Sequence, residues 1–81
     1  MPLDALNPEP YYRQLAGVYR ELIRSGQLPP RAQLPSETQM MAEHHVSRGT
    51  VRKALELLQE EGWVVTIQGR GSFVPEKLPT S

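Results

Sequence analysis

Ser47 opens a predicted helix whose exposed face gathers Arg48, Thr50, Arg52 and Lys53, with no acid among them. An arginine guanidinium is a planar fork that matches the O6 and N7 acceptors of guanine, and a threonine suits a thymine methyl or a phosphate. A serine before such a run is a helix cap, and the free amides of the first turn behind it suit an anion. The intervening residues Val51, Ala54, Leu55 and Leu58 repeat at the i, i+3, i+4, i+7 spacing of a buried helical stripe. A helix basic at its start and apolar behind is built to be pressed by a small core against something anionic. The chemistry it offers is the binding of duplex DNA.

A second cation stands apart. Arg70 lies between Gly69 and Gly71, after Gln68, on a turn with nothing bulky beside it. Narrow minor grooves concentrate negative potential and attract arginine. Alone, this reads as an ordinary hairpin loop carrying one charge; directly after a recognition-type helix, it reads as a groove probe.

Other chemistries find no support. No Ser/His/Asp set, nucleophilic cysteine or phosphate-cradling glycine loop stands in the chain, so an enzyme is not expected. His44 and His45 are adjacent, so on a helix they face apart, and no cysteine or suitably spaced carboxylate completes a metal site. They read as the exposed end of a helix and its turn, and neither metal nor cofactor is expected. The absence of cysteine suits a reducing cytoplasm. No apolar run is long enough to cross a membrane, and the N-terminus lacks the regions of a signal peptide.

Nine basic residues balance nine acidic ones among 81, which argues against uniform attraction to nucleic acid. The charges are unevenly placed. Up to residue 46, Arg13, Arg20, Arg24 and Arg31 are offset by Asp4, Glu9, Glu21, Glu37 and Glu43. Between 47 and 55 there are only cations, and a local patch can hold phosphate on an otherwise neutral surface.

The elements that must position these groups are legible in outline. Residues 1–10, rich in proline, read as a disordered arm. Leu15, Val18, Tyr19, Leu22 and Ile23 mark a first amphipathic helix from Tyr11 to Ser25, with Gly26 as its stop and Pro29-Pro30 forbidding continuation. Gln33-Leu34 suits a very short strand or an extended entry. Ser36 and Gln39 have the spacing of a capping box for a second helix ending near His44, with Met40, Met41 and Ala42 as its apolar side. A short turn leads to Ser47 and the third helix, which runs to about Glu61 and stops at Gly62. Two helices joined so tightly, with the small Ala42 near their crossing, are a helix-turn-helix pattern. Trp63–Ile67 and Ser72–Val74 flank the turn Gln68–Gly71 as a β-hairpin, and Trp63, Tyr19 and Phe73 are candidate core. Residues 75–81 resemble the start of a linker.

The segments YYRQLAGVYRELIRSGQL, LPSETQMMAEHHVSRGTVRKALELLQEEGWV and QGRGSFV, in this order, resemble the DNA-binding domain of the GntR family of bacterial transcription regulators. The resemblance covers Tyr11 to Val74, and the QGRGSFV segment is most similar to the branch typified by the histidine-utilisation repressor. It implies an α+β winged helix-turn-helix, three helices followed by a β-hairpin wing. The third helix would enter the major groove and the wing the adjacent minor groove, as a homodimer on an inverted repeat. By position, the resemblance puts DNA contacts on Ser47, Arg48, Gly49, Thr50 and Arg52, and on Gln68, Gly69, Arg70 and Gly71. Thr38 stands where many relatives place an arginine that touches DNA, leaving a hydroxyl that reaches a phosphate. Lys53 joins this set from its place on the helix.

Two positions depart from the family pattern. Arg31 follows Pro30 where glycine is usual, and His45 stands where a glycine is common in the helix-helix turn; if His45 needs positive φ, it carries some cost. Family members also carry a C-terminal domain that binds a small-molecule effector and dimerises. The proline-containing tail favours an excised DNA-binding fragment over a stand-alone regulator. The expectation is sequence-specific binding of duplex DNA as part of a transcription repressor. The alternative is a winged helix that serves as a protein-interaction module, for which zero net charge is no obstacle.

Overall fold

Local start and stop signals divide the helical part of the chain. α1 spans Tyr11–Arg24 and begins after Pro10, whose carbonyl accepts from the amides of Arg13 and Gln14. It ends where Gly26 turns left-handed at φ 89°, a conformation that costs glycine little. α2 spans Glu37–His44. Its start is the anticipated capping box: the Gln39 amide donates to Ser36 Oγ at 3.1 Å, and the Ser36 amide donates to Gln39 Oε1 at 2.8 Å. α3 spans Arg48–Glu60, capped by Ser47 and stopped before Gly62 at φ 85°. The computed structural model describes Leu3 and residues 5–79. Of the anticipated arm and tail, Met1, Pro2, Asp4, Thr80 and Ser81 lie outside the described residues.

The wing is an antiparallel pair, β1 Val65–Ile67 and β2 Gly71–Phe73, in the register Val65↔Phe73, Thr66↔Ser72, Ile67↔Gly71. The connecting loop is Gln68–Arg70; Gly71, anticipated in the turn, belongs to β2. Gln33 bridges to Phe73 on the far side of β2, as its short-strand reading anticipated. Around that bridge the Arg31 amide donates to Val74 O, the Val74 amide to Ala32 O, and the Leu34 amide to Ser72 O, all within 2.9 Å. The extended lead-in to α2 therefore straps the wing to the helices.

The core joins Leu15, Ala16, Tyr19 and Ile23 of α1, Met40 of α2, and Val51, Ala54, Leu55 and Leu58 of α3 to Leu34, Val64 and Val74. All four residues of the α3 stripe are buried, and α1 against α3 is the principal helix pairing. Three expectations are corrected. Ala42 is exposed, because at eight residues α2 buries only Met40 completely and half-buries Met41. Trp63 and Phe73 are half-buried, Trp63 packing against the edge of the core; of the three candidate core aromatics only Tyr19 is fully enclosed. His44 is half-buried rather than an exposed helix end, because its Nε2 lies 3.0 Å from the Tyr19 hydroxyl.

Candidate nucleic-acid interface

The turn between α2 and α3 sets the geometry of the site. His45 adopts φ 55°, ψ 49°, and its amide and that of Val46 both donate to the Met41 carbonyl. The positive φ that the helix-helix turn requires is thus met without glycine, as is that of Arg31 at φ 74°. Val46 packs on the core and Ser47 opens α3. Ser47 Oγ accepts from the Thr50 amide at 3.2 Å and shares a hydrogen with Thr50 Oγ1 at 3.1 Å. The two hydroxyls hold each other at the rim of the helix start.

Charge on α3 runs against the helix dipole. Its first turn holds Arg48 and no acid; its last turn holds Glu60 and no base. The reverse arrangement is the stabilising one, by roughly 0.3–1 kcal/mol per charge. The helix therefore forgoes stability and gathers positive potential at its N-terminal end. Glu61, beyond its far end, is tied to Arg20 of α1 at 2.7 Å, and Glu21 to Arg24 at 2.6 Å. These pairs hold acids on α1 and at the foot of α3, which places the neutral balance of the sequence in spatial terms.

Arg48 and Arg52 project from the same flank of α3, one turn apart, as their spacing predicted. The expectation that no acid accompanies them holds over residues 47–55 but is corrected in space, and Glu56, one turn beyond Arg52 on α3, lines the same groove as Arg52. Glu37, the first residue of α2, faces both arginines: Arg48 Nη1 donates to its Oε1 at 2.9 Å, and Arg52 Nε lies 3.2 Å from its Oε2. The pairs are open to water, with Arg52 at 63% and Glu37 at 31% side-chain exposure. Such pairs contribute about 0–1 kcal/mol to stability. Sequence reading missed Glu37 because it considered the helices singly. The signal was present: a helix-turn-helix brings the start of its first helix against the start of its second.

The remaining candidates fall around this pair. Thr38 is exposed beside Glu37 on α2. Gly49 is exposed between Arg48 and Thr50, and a methyl placed there would meet only Ser47 Oγ at 3.9 Å. Lys53 does not join the arginines. It leaves α3 on the opposite flank, where its Nζ sits 5.8 Å from the centre of the Tyr12 ring of α1.

The wing completes the surface. Arg52 and Arg70 line one groove between α3 and the hairpin, together with Glu37, Gln33, Glu56 and Ser72. The Arg70 amide closes the turn onto Ile67 O at 2.9 Å, while Gln68, Gly69 and Arg70 are exposed at its tip. Gly71 is favoured by its φ of 119°, and a Cβ there would stand 2.8 Å from Gln33 Nε2, so the end of the Gln33 side chain would have to shift. Among the described residues the Arg70 guanidinium meets no acid, and no cluster of His, Cys, Asp and Glu of a size to hold a metal occurs. Among the described residues no helix is long and apolar enough to cross a membrane.

Comparison with known proteins agrees with this architecture. Residues 11–74 match the family model described as bacterial regulatory proteins, gntR family. The chain is 45% identical over 69 residues to the mannosyl-D-glycerate transport/metabolism system repressor MngR of Escherichia coli, a match spanning 85% of this chain and 29% of that protein. It is 39% identical over 69 residues to the histidine utilization repressor of Klebsiella aerogenes, spanning 85% and 29% respectively. Among solved structures it superposes on the AraR DNA-binding domain in complex with operator ORE1 with a TM-score of 0.81 at 34% identity, covering 90% of this chain and 89% of that one. The chain thus spans under a third of the length of these curated relatives and nearly all of the AraR domain. Three helices, a two-stranded wing and a family match over nearly the whole folded region make this chain a member of the GntR family of bacterial regulators.

Proposed function

We propose that this chain binds duplex DNA sequence-specifically, as the DNA-binding domain of a transcription repressor acting on an inverted-repeat operator. The observation that carries the reading is the placement of Arg48 and Arg52 on one exposed flank at the start of α3, with Arg70 and Arg52 lining one groove beside it. α3 would lie in the major groove with Arg48 and Arg52 at base edges. Ser47, Gly49 and Thr50 would approach the backbone, Thr38 and Lys53 would meet phosphates, and Gln68, Gly69, Arg70 and Gly71 would follow the minor groove. The repressors among its relatives, and the operator complex of AraR, support this reading. A symmetric site requires two copies, and in a full-length regulator a further domain would supply dimerisation and effector binding. The role is that of a binding module in the cytoplasm, without catalysis.

Selection of bound duplexes from a randomised pool tests the reading. Enrichment of an inverted repeat is expected, with Arg52→Ala losing about 1–3 kcal/mol and relaxing preference at one position per half-site. A pool that stays random after repeated rounds, with a folded protein, would overturn it. Binding confined to another protein would favour the interaction-module alternative.

A further inference from the structure

Glu37 is an unexpected occupant of a surface suited to polyanions. Its carboxylate lies between the two arginines assigned to base edges, and the exposed pairs it forms contribute little to folding. What it does to the geometry of Arg52 is more informative. The contacts of Arg52 with Glu37 are made through Nε alone, at 3.2 and 3.4 Å. The terminal Nη1 and Nη2 hydrogens, which form the end-on fork that guanine O6 and N7 accept, have no partner among the described residues. Arg48, by contrast, is held through Nη1, so its end-on fork is engaged while the pair persists.

We propose that Glu37 is a specificity-determining positioning residue, which holds Arg52 by Nε so that its free fork is aimed at a base and is withheld from phosphates. The inference rests on the DNA-binding reading above and deepens it. With Glu37 present, the trio carries one net positive charge rather than two. A guanidinium that swings to a phosphate must leave its carboxylate, and that carboxylate then faces the phosphate array. Insertion of the fork at a guanine edge requires no such separation, because Nε stays on Glu37 while Nη1 and Nη2 bind. Sequence-independent contacts are thereby penalised more than the matched one. Glu37 is also well placed to be held still, as the first residue of a helix closed by the Ser36–Gln39 capping box.

The test compares wild-type chain, Glu37→Gln and Glu37→Ala. Each is titrated against the duplex that wild-type protein enriches from a randomised pool, and against poly(dA-dT), which lacks the guanine O6 and N7 pair, over a range of salt. For both variants, affinity for poly(dA-dT) is expected to rise about three- to tenfold, with a salt slope steeper by roughly 0.9 for each additional phosphate neutralised. The ratio of selected to poly(dA-dT) affinity should fall, and base preference should broaden at the position that Arg52→Ala also relaxes. In the Arg52→Ala background, removing Glu37 should broaden that position no further. The Arg52 Nε–H resonance of the free protein should move in Glu37→Ala. Thermal melts separate this from a folding defect, which lowers both affinities together. An unchanged ratio, a parallel loss on both duplexes, or an undiminished effect without Arg52 would overturn the role of Glu37. A wild-type chain that enriches nothing would instead remove the DNA-binding reading beneath it.

Discussion

Gln33 Nε2 donates to the carbonyl oxygen of Arg70 at 3.0 Å, so a side chain from the lead-in to α2 holds the backbone of the wing tip. A two-stranded hairpin is marginal alone, and three-residue strands give it little of its own. That bond at the tip, with the bridge from Gln33 to Phe73 nearer the wing's root, fixes where the Arg70 backbone stands relative to α3. Gln33→Ala should therefore cost about 0.5–1.5 kcal/mol of stability and a part of what Arg70 contributes to DNA affinity. A double-mutant cycle with Arg70→Ala checks this: the two losses should be less than additive. Full additivity would mean that the wing positions Arg70 without Gln33.

Gly49 separates the demands of folding from those of binding. It sits in the first turn of α3, at ordinary helical φ and in open space. Gly49→Ala should raise stability by up to about 1 kcal/mol, because glycine is the costlier residue in a helix. If the DNA backbone approaches α3 as proposed, the same methyl should weaken binding. The expected outcome is a higher melting temperature with a higher Kd. A methyl that raises both stability and affinity would take Gly49 out of the contact surface.

The sequence disclosed most about features that are local. The Ser36–Gln39 capping box, the Ser47 cap, the stops at Gly26 and Gly62 and the α3 stripe depend on neighbours a few residues apart, and all appear as anticipated. What escaped depends on approach across the fold. Ala42 looked apolar enough to pack, yet a helix of two turns has too little buried face to include it. His44 read as a free helix end until Tyr19, 25 residues earlier, was seen to lie against it. Glu37 read as an ordinary first-turn acid until α3 folded back over α2. Lys53 shared a stretch of sequence with Arg52, but 100° per residue carried it round to Tyr12.

His45 carries a measurable backbone cost. Left-handed φ disfavours a residue with a Cβ by roughly 1–2 kcal/mol, and glycine offsets part of that gain by its freedom in the unfolded chain. His45 is exposed, and its amide rather than its ring closes the turn. His45→Gly should thus stabilise the domain by up to about 1 kcal/mol in a denaturant melt. Destabilisation would show that the imidazole makes a contact worth more than the strain.

Tyr19 gives the fold a signature in alkali. Burial, and secondarily the charge of Glu43, push its phenol up to about 12 from an ordinary value near 10. A group whose folded pKa is raised contributes stability that is whole below its unfolded pKa and disappears as pH climbs through the folded one. Stability should thus be unaffected by Tyr19 below pH 10 and fall between 10 and about 12, by on the order of 2 kcal/mol. Tyr19→Phe should flatten this slope, while losing the bond to His44 at neutral pH. Parallel pH profiles for the two proteins would exclude Tyr19 as the source.

Lys53 and Arg52 are neighbours in sequence with opposite expected signatures on DNA. Arg52 faces Glu37 and the wing groove, where its planar fork is proposed to meet base edges; Lys53 stands over the Tyr12 ring, on the flank where α1 meets α3. An ammonium is a point charge without a fork, so it gives affinity to any sequence and preference to none. Lys53→Ala should weaken matched and unmatched duplexes by the same factor and flatten the plot of log K against log salt by roughly 0.9. Arg52→Ala should instead change which bases are preferred. Titrations of both variants on both duplexes distinguish the roles, and an unchanged salt slope for Lys53→Ala would confine the interface to the Glu37 flank of α3.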